Sequence, residues 1–527
     1  MKQPKLNYTK LTRRIEKAKG NKLKWQSYLD ECYEYFIPEK KLHNTKGHDN
    51  SKLFDSTAQD SISDYANRME SQLVPSGKEW MKLTAGSEIP KDQKVQVDQQ
   101  LENMTSILFS HINSSNFSGQ INESFLDLGI STGAIIIDEG DGIQSNLHFR
   151  NVPLNEIIIE RSEKGIVDNV FREITITYGD IPSLFPQIVQ NLDADEAKKI
   201  EEKPGDDVIF IEGVVKNFSK AGSNYTTFVL SEKSKTILYE AVSDSSPWVV
   251  FRENTIPGES YGRGRAMRCL QDTKTLNKVV QYYIESTELL ANPIYTVVDD
   301  GIINPHTLKV RPKTLIPVAS PDTITPLASS GDVRLNIELI QRLQGSIRTT
   351  MLSKPFGQID DTPVRTATEM SIRNSDLAET SSTAAGRIQV ELLERVIKRC
   401  VFILEQAGKL PELRVDGKEV KIKYTSPSSQ TEDKIKLGNA LQFVQMMEAF
   451  PPEMVRKNVK LEEFPEFIAE MLDVSPSLIR TGEERKAEEE KMLEEQQQQL
   501  QMEANQQMDI QDNQAMNQLP EPTPEGL

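Results

Sequence analysis

Ile256-Pro-Gly-Glu-Ser-Tyr-Gly-Arg-Gly264 supports two incompatible readings. Gly258, Ser260 and Gly262 spell Gly-x-Ser-x-Gly, the nucleophile-elbow pattern of serine hydrolases, with an apolar strand before it and a helical pattern after it. The same glycines can also be turn residues that carry the chain from one region into the next. The sequence on either side decides between them.

An elbow serine needs a general base and an orienting acid further along the chain, on strands of a parallel sheet, and it needs to sit at a sharp strand-to-helix turn. His306 is the only histidine after Ser260 and lies among prolines, while Glu253–Pro257 separate the expected strand from Gly258. Long helical patterns follow where alternating strands and helices would be required. Gly258 and Gly262 therefore read as turn residues leading into a helix, with Arg263 and Arg265 near the junction.

Downstream, Ala266–Leu290 places Met267, Leu270, Leu276, Val280, Tyr283, Ile284 and Leu290 at helical spacing, and Asn292-Pro293 stops it. Residues 294–330 carry Asp299-Asp-Gly301, Pro305, Pro312, Pro317, Pro321 and Pro326, which fits short strands and excludes a helix. Asp332–Leu352 is helical again, with two apolar stripes, Val333/Ile337/Ile340/Ile347 and Leu335/Leu339/Leu343. A helix apolar over so wide an arc must be covered on several sides, either in a core or between copies of itself.

The loop Lys354–Arg365 leads to Thr366-Ala-Thr-Glu369, a capping box that opens a long helix reaching Gly408 and Pro411. Ser381-Ser-Thr383 and Gly386 suggest a kink within it. Shorter helices are expected at Asp433–Phe450, Glu453–Val459 and Leu461–Leu472. From Glu483 the chain is rich in Glu, Gln, Met and Asn, and reads as a frayed helix passing into disorder.

Upstream, residues 8–37, Asp60–Leu73, Lys94–Ile112 and Gly119–Leu128 read as helices, with a short strand at Trp80–Leu83. The apolar run at Ala134–Asp138 precedes β-rich segments at 147–151, 157–160, 167–178, 208–217, 225–230, 237–242 and 248–252. Residues 180–204 form a charged insertion. The pattern is α+β, with a mixed α/β domain of antiparallel character.

A chain of 527 residues exceeds what one core normally supports, and its 37% hydrophobic content is enough for several. No apolar run approaches a bilayer span, and the basic, polar N-terminus has no apolar segment of the secretory kind, so synthesis in the cytoplasm without membrane insertion is expected. Cys32, Cys269 and Cys400 are scattered and odd in number, which points to reduced core thiols. The five histidines are also dispersed, and neither a metal site nor a cofactor motif is expected.

The net charge of −17 argues against tight nucleic-acid binding but permits loose handling of DNA. Asp299-Asp300, Asp360-Asp361 and Asp206-Asp207 fit solvated turns. Lys274, Lys278, Arg334, Arg342, Arg348 and Lys354 flank the proline-rich segment. They form either a solvated face or a weakly attractive wall beside a polyanion.

With Gly258-Glu-Ser-Tyr-Gly-Arg263 in place, the chain resembles the head-to-tail connector, or portal protein, of short-tailed (podovirus-type) bacteriophages. Leu73-x-Pro75 through Trp80-Met-Lys-Leu83 resembles that family's N-terminal signature, and Asp127–Asp138 its helix-turn-strand. Asn292–Pro305 resembles the entry to its clip. Arg365-Thr-Ala-Thr-Glu369 with the following helix resembles the segment after its tunnel loop, and the Gln/Met-rich tail is similar too.

The resemblance implies a mostly helical portal fold with a mixed α/β wing, two-helix stem, small β-rich clip and helical crown. Its expected divisions are an N-terminal helical region 1–79, wing 80–260, stem helices 261–290 and 332–353, clip 291–331, tunnel loop 354–365, long wing helix 366–411, crown 412–480 and tail 481–527. It implies a virion protein without catalysis, in a ring of commonly twelve copies at one capsid vertex. Through the ring double-stranded DNA is packaged by the terminase motor and later ejected.

Expected partners are the terminase large subunit, the major capsid and scaffolding proteins and a tail adaptor. DNA-channel candidates are Lys274, Lys278, Arg334, Arg342, Arg348, Lys354, Asp360, Asp361 and Arg365. Clip docking candidates are Asp299, Asp300, His306, Lys309, Arg311 and Lys313. Gly258, Gly262 and Arg263 form the structural junction. The alternatives are a hydrolase using Ser260 and a virion assembly protein without a channel.

Overall fold

The computed structural model describes residues 6–39, 52–291, 295–297, 324–326, 333–353, 386–411, 420–447 and 464–472, with 491–492 and 497, apart from positions 87, 143–144, 163–164, 220–221 and 426. The chain divides into two compact units, one of residues 1–88 and 102–428, the other of 89–101 and 429–527.

The first unit is organised on a five-stranded antiparallel sheet. Its strands β4 (Ile157–Arg161), β5 (Val167–Thr177), β6 (Asp207–Ser219), β7 (Gly222–Ser231) and β8 (Thr236–Ser243) pair in chain order. Alternation along each strand gives the sheet two apolar faces. On one face Ile158, Phe171, Ile211, Val215, Phe228 and Leu230 pack against Leu11, Ile15 and Ala18 of helix α1 (Tyr8–Phe36). Those three recur at steps of four and three, and Asn7 caps the helix by accepting the Lys10 amide at 3.2 Å.

The opposite face carries Val208, Phe210, Val229 and Leu238, covered by Ile181, Phe185 and Ile188 from the insertion, which contains α5 (Ile181–Leu184) and α6 (Ala194–Glu202). The expected surface insertion is thus the third layer of an α–β–α arrangement.

A second sheet, ordered β3 (Leu147–Asn151), β2 (Thr132–Glu139), β9 (Trp248–Arg252), is antiparallel throughout. In β2 every residue from Thr132 to Ile137 is buried, so this central strand reads as an unbroken apolar run instead of alternating. Helix α4 (Phe117–Ile130) lies against it: Ser124 Oγ donates to the Ala134 carbonyl at 2.9 Å, and Phe125 meets Phe251 edge-on at 6.0 Å. Helix α2 (Thr57–Leu73) packs on α4.

Strand β1 (Met81–Ala85) pairs antiparallel with β12 (Val420–Tyr424). The sequence expectation put only crown helices in 412–480 and passed over β12. The correction has a local cause, because Val420-Lys-Ile-Lys-Tyr424 alternates apolar and basic residues at the strand period. Its partner lies in the first unit, beside Trp80, whose carbonyl accepts the Thr425 amide at 2.9 Å.

Helices α7 (Arg265–Ala291) and α8 (Val333–Thr350) form a hairpin, and short strands β10 (Tyr295–Val297) and β11 (Ile324–Pro326) pair antiparallel between them. After residue 385 a short α-helical stretch and a π turn, Gln389–Leu393, precede helix α9 (Glu394–Gln406). The irregularity in the long helix therefore falls just beyond Gly386. The capping box at 366–369 and the expected helix at 453–459 lie outside the described residues.

The second unit holds most of α10 (Pro427–Met447), where Leu441, Phe443 and Met446 are exposed, and α11 (Phe464–Met471), where the rings of Phe464 and Phe467 sit 6.1 Å apart. Among the described residues no helix is long and apolar enough to cross a membrane.

Candidate functional site: the base and flanks of the helical hairpin

The loop between β9 and α7 is pressed into the first unit over most of its length. Gly258 sits at its outer bend with φ +87° and open space around it, so its requirement is conformational. Gly262 and Gly264 are constrained by contact. A Cβ at 262 would lie 2.4 Å from the Ser131 carbonyl oxygen, and one at 264 would lie 2.2 Å from that of Ile130. Close approach lets the Gly262 amide donate to Thr132 Oγ1 at 2.9 Å and the Gly264 amide to the Ile130 carbonyl at 3.1 Å.

Buried charges tie the same loop to four other elements. Arg252, 1% exposed, donates from Nη2 to Glu391 Oε1 at 2.6 Å and from Nη1 to the Ser260 carbonyl at 3.1 Å. Glu253, 2% exposed, accepts Arg265 Nε at 2.7 Å and the Tyr65 hydroxyl at 3.0 Å. Arg265 Nη1 then donates to the carbonyl of Thr350, the last residue of α8. Burial and the neighbouring Glu253 carboxylate hold the Tyr65 phenol well above its ordinary pKa, so it stays a donor. Such pairs offset their desolvation only because each charge has several partners.

Arg263 closes the turn outside this core. Its guanidinium pairs with Glu259 at 2.9 Å and stacks 4.1 Å above the Trp25 ring. Tyr261 reaches inward, its hydroxyl donating to the Ile157 carbonyl at 3.2 Å and accepting the Ile159 amide at 3.3 Å. Ser260 lies in the loop between β9 and α7, away from the strand-to-helix corner an elbow occupies, and its carbonyl, not its hydroxyl, is engaged by Arg252.

The far end of α8 is terminated without glycine. Leu352 adopts φ +56°, the Ser353 amide donates to the Arg348 carbonyl at 2.8 Å, and the Ser353 hydroxyl bonds Asp64. A left-handed residue in this position ends a helix by satisfying its last carbonyls.

Of the DNA-channel candidates, Lys274 is bound to Glu31 of α1, and that bond raises its pKa. Lys278, Arg342 and Arg348 are exposed on the hairpin, with no ion-pair partner among the described residues. Arg334 lies on α8. Lys354, Asp360, Asp361 and Arg365 lie outside the described residues, as do the clip candidates Asp299, Asp300, His306, Lys309, Arg311 and Lys313. Tyr282, Ile284, Ile337 and Leu339 are exposed apolar residues on the same two helices.

The sequence reading names Gly258, Gly262, Arg263 and Arg265 at this turn and passes over Arg252, Glu253 and Glu391. A usable signal existed at Arg252, a charge closing the otherwise apolar strand Trp-Val-Val-Phe-Arg. Its partner 139 positions away is not visible in the sequence. Cys32, Cys269 and Cys400 are free and buried, and burial pushes the first two thiols up to about 12 and the third higher. Among the described residues no group of three or more His, Cys, Asp or Glu side chains could hold a metal ion.

The sequence matches the family described as bacteriophage head to tail connecting protein over residues 8–479. The chain belongs to that family. The connector is 21% identical over 420 residues to the portal protein of Enterobacteria phage T3, covering 75% of this chain and 74% of that one. It is 20% identical over 429 residues to the portal protein of Escherichia phage T7, covering 77% and 76%.

Among solved structures, the virion of a native gene transfer agent particle aligns with a TM-score of 0.36 at 10% identity, covering 75% of the connector and 88% of that chain, too loose a likeness to argue from. Family membership gives the connector its place in the virion and a portal role joining head to tail.

Proposed function

We propose that the connector works as a ring, of about twelve copies on the resemblance stated above, and that the α7–α8 hairpin lines its channel as the stem. One observation carries this. The hairpin's base is completed by its own chain, whereas on its flanks Tyr282, Ile284, Ile337 and Leu339 are exposed, and Lys278, Arg342 and Arg348 have no ion-pair partner among the described residues. Apolar positions that one chain leaves open are covered when identical copies close into a ring by heterologous contacts.

In this reading the wing corresponds to 80–260, the clip to 291–331, the tunnel loop to 354–365, the long wing helix to 366–411 and the crown to the helices after β12. A net charge of −17 per chain makes the assembled wall repulsive to duplex DNA. A few hairpin cations, with Arg334 and Lys354 among the candidates, keep the duplex centred without trapping it. Terminase and tail adaptor dock in turn on the clip, where Asp299, Asp300, His306, Lys309, Arg311 and Lys313 lie. Capsid and scaffolding proteins contact the outer wing. The role is structural, without catalysis.

Electron microscopy of the purified protein tests the proposal: rings with an axial hole are expected. Monomers, or covalent capture of Ser260 by a fluorophosphonate, would overturn it. Neutralising Lys278, Arg342 and Arg348 together should reduce packaging or DNA retention while leaving the rings intact.

A further inference from the structure

The helix that leads into α9 contains a turn of unusual width. The amide of Glu394 donates to the carbonyl of Gln389, five residues back, so Gln389–Leu393 is a π turn. Such a turn accommodates one residue more than an α turn and persists where its surroundings hold it.

Here the holding groups are identifiable. The Glu391 carboxylate accepts the Arg252 amide at 3.0 Å, its Nε at 3.2 Å and its Nη2 at 2.6 Å. The Tyr424 hydroxyl donates to the Gln389 carbonyl at 3.4 Å, and burial raises that phenol's pKa so that it remains a donor. Leu392 and Leu393 are completely buried while Val390 is 57% exposed. On the near side of the turn Ile388 is 1% exposed, and Arg387 Nη1 donates to the Glu253 carbonyl at 3.4 Å. Glu253 in turn holds Arg265, which donates to the end of α8.

We propose that Glu391 is the positioning residue of a one-residue register joint. Its grip on Arg252 keeps the turn in the π form. Without that grip the turn tightens to α, and residues 386–388 rotate by about 100° relative to α9, the angle one residue subtends in an α-helix. Val396, Ile397 and Cys400 anchor α9 in the core, so the rotation falls on the near side, where it breaks the bond from Arg387 to Glu253. The joint thus links the orientation of residues 386–388 to the base of the hairpin. In the portal reading this sets how the wing helix meets the stem, but the joint itself does not depend on that reading.

Thiol labelling tests it, because all three native cysteines are buried and their raised pKa values keep them unreactive. In the full-length chain, Ile388→Cys should resist a maleimide reagent. Adding Glu391→Gln should speed its labelling about tenfold or more, the population change that one charge-assisted hydrogen bond supports. Glu391→Asp, which keeps the carboxylate, should restore most of the protection. Val396→Cys, on the other side of the joint, should stay protected in every background.

Equal labelling at 388 with and without the Glu391→Gln change overturns the joint. So does acceleration at 388 and 396 together, which would mean general loosening. These rates are read on the folded chain whether or not it assembles, so failure of the joint is distinguishable from an absence of rings in microscopy, which counts against the portal reading alone.

Discussion

At the base of the hairpin, where α7 begins and α8 ends, the buried Arg252 and Glu253 pair with the half-buried Glu391 and Arg265, so that every charge has a partner. Along the flanks the same helices present Tyr282, Ile284, Ile337 and Leu339 to solvent, and Lys278, Arg342 and Arg348 lack ion-pair partners among the described residues. The base is therefore held by contacts within one chain, while the flanks are the surface that the proposed ring would cover. Substitutions at the two places should differ in kind: at the base they cost folding stability, on the flanks they cost assembly.

The largest stability loss is expected for Glu253→Ala, which strands Arg265 and the Tyr65 hydroxyl in the interior. Denaturant unfolding should show a loss of about 3–5 kcal/mol, the range for breaking one side of a buried pair. A loss below about 1 kcal/mol would mean the base is wetter than its geometry indicates.

Next comes a pH effect where α1 meets the wing sheet, a second contact completed within one chain. Lys22 is 6% exposed and donates to the Asn155 carbonyl; burial lowers its pKa from 10.5 to about 8, against the pull of Glu173 and Glu156. The unfolded chain binds the proton more tightly than the folded one, so between pH 8 and 10.5 stability rises with pH and the burial penalty is relieved. The gain should reach about 3 kcal/mol from this group alone. It should be read as the difference between the native chain and Lys22→Met over that range, where the variant lacks this component.

A smaller loss, about 1–3 kcal/mol, is expected for Gly264→Ala, whose methyl meets backbone that cannot step aside. Gly258→Ala should cost only about 1 kcal/mol, since the space is open and the positive φ alone is unfavourable. Smallest in stability is Ile337→Ser combined with Leu339→Ser, within about 0.5 kcal/mol per site for the isolated chain because both side chains are already exposed. Ring particles should nevertheless be lost. Rings that survive this pair, or chains that unfold because of it, would erase the distinction between base and flanks.

What the sequence revealed follows the range of the forces involved. Helix α1 was legible because Leu11, Ile15, Leu29, Cys32 and Phe36 fall at helical spacing, and β2 because Ala134–Ile137 is apolar without interruption. Gly258 and Gly262 were legible as turn residues, and the kink was anticipated near Gly386. Strand β12 carried its alternation in plain sight, but short strands declare themselves only through a partner, and β1 is remote. The π turn and the ion cluster were not legible, since neither Glu391 nor Arg252 carries any local mark of the other. The candidates chosen for DNA were picked by charge and by position along the two helices and the loop after them, which does not separate Lys274, engaged by Glu31, from Lys278, which is not.

Pairing of β1 with β12 joins residues 337 positions apart, as in the bond from Thr84 to the Lys421 carbonyl. A ribosome adding about 5–20 residues per second needs tens of seconds to travel that distance. Throughout that interval the first strand waits with an open edge, and Trp80 waits for the backbone of Thr425. This pairing can form only after the whole hairpin, which ends at Thr350, has been made. A chain cut short before Val420 therefore leaves β1 without its partner strand and Trp80 without the Thr425 amide.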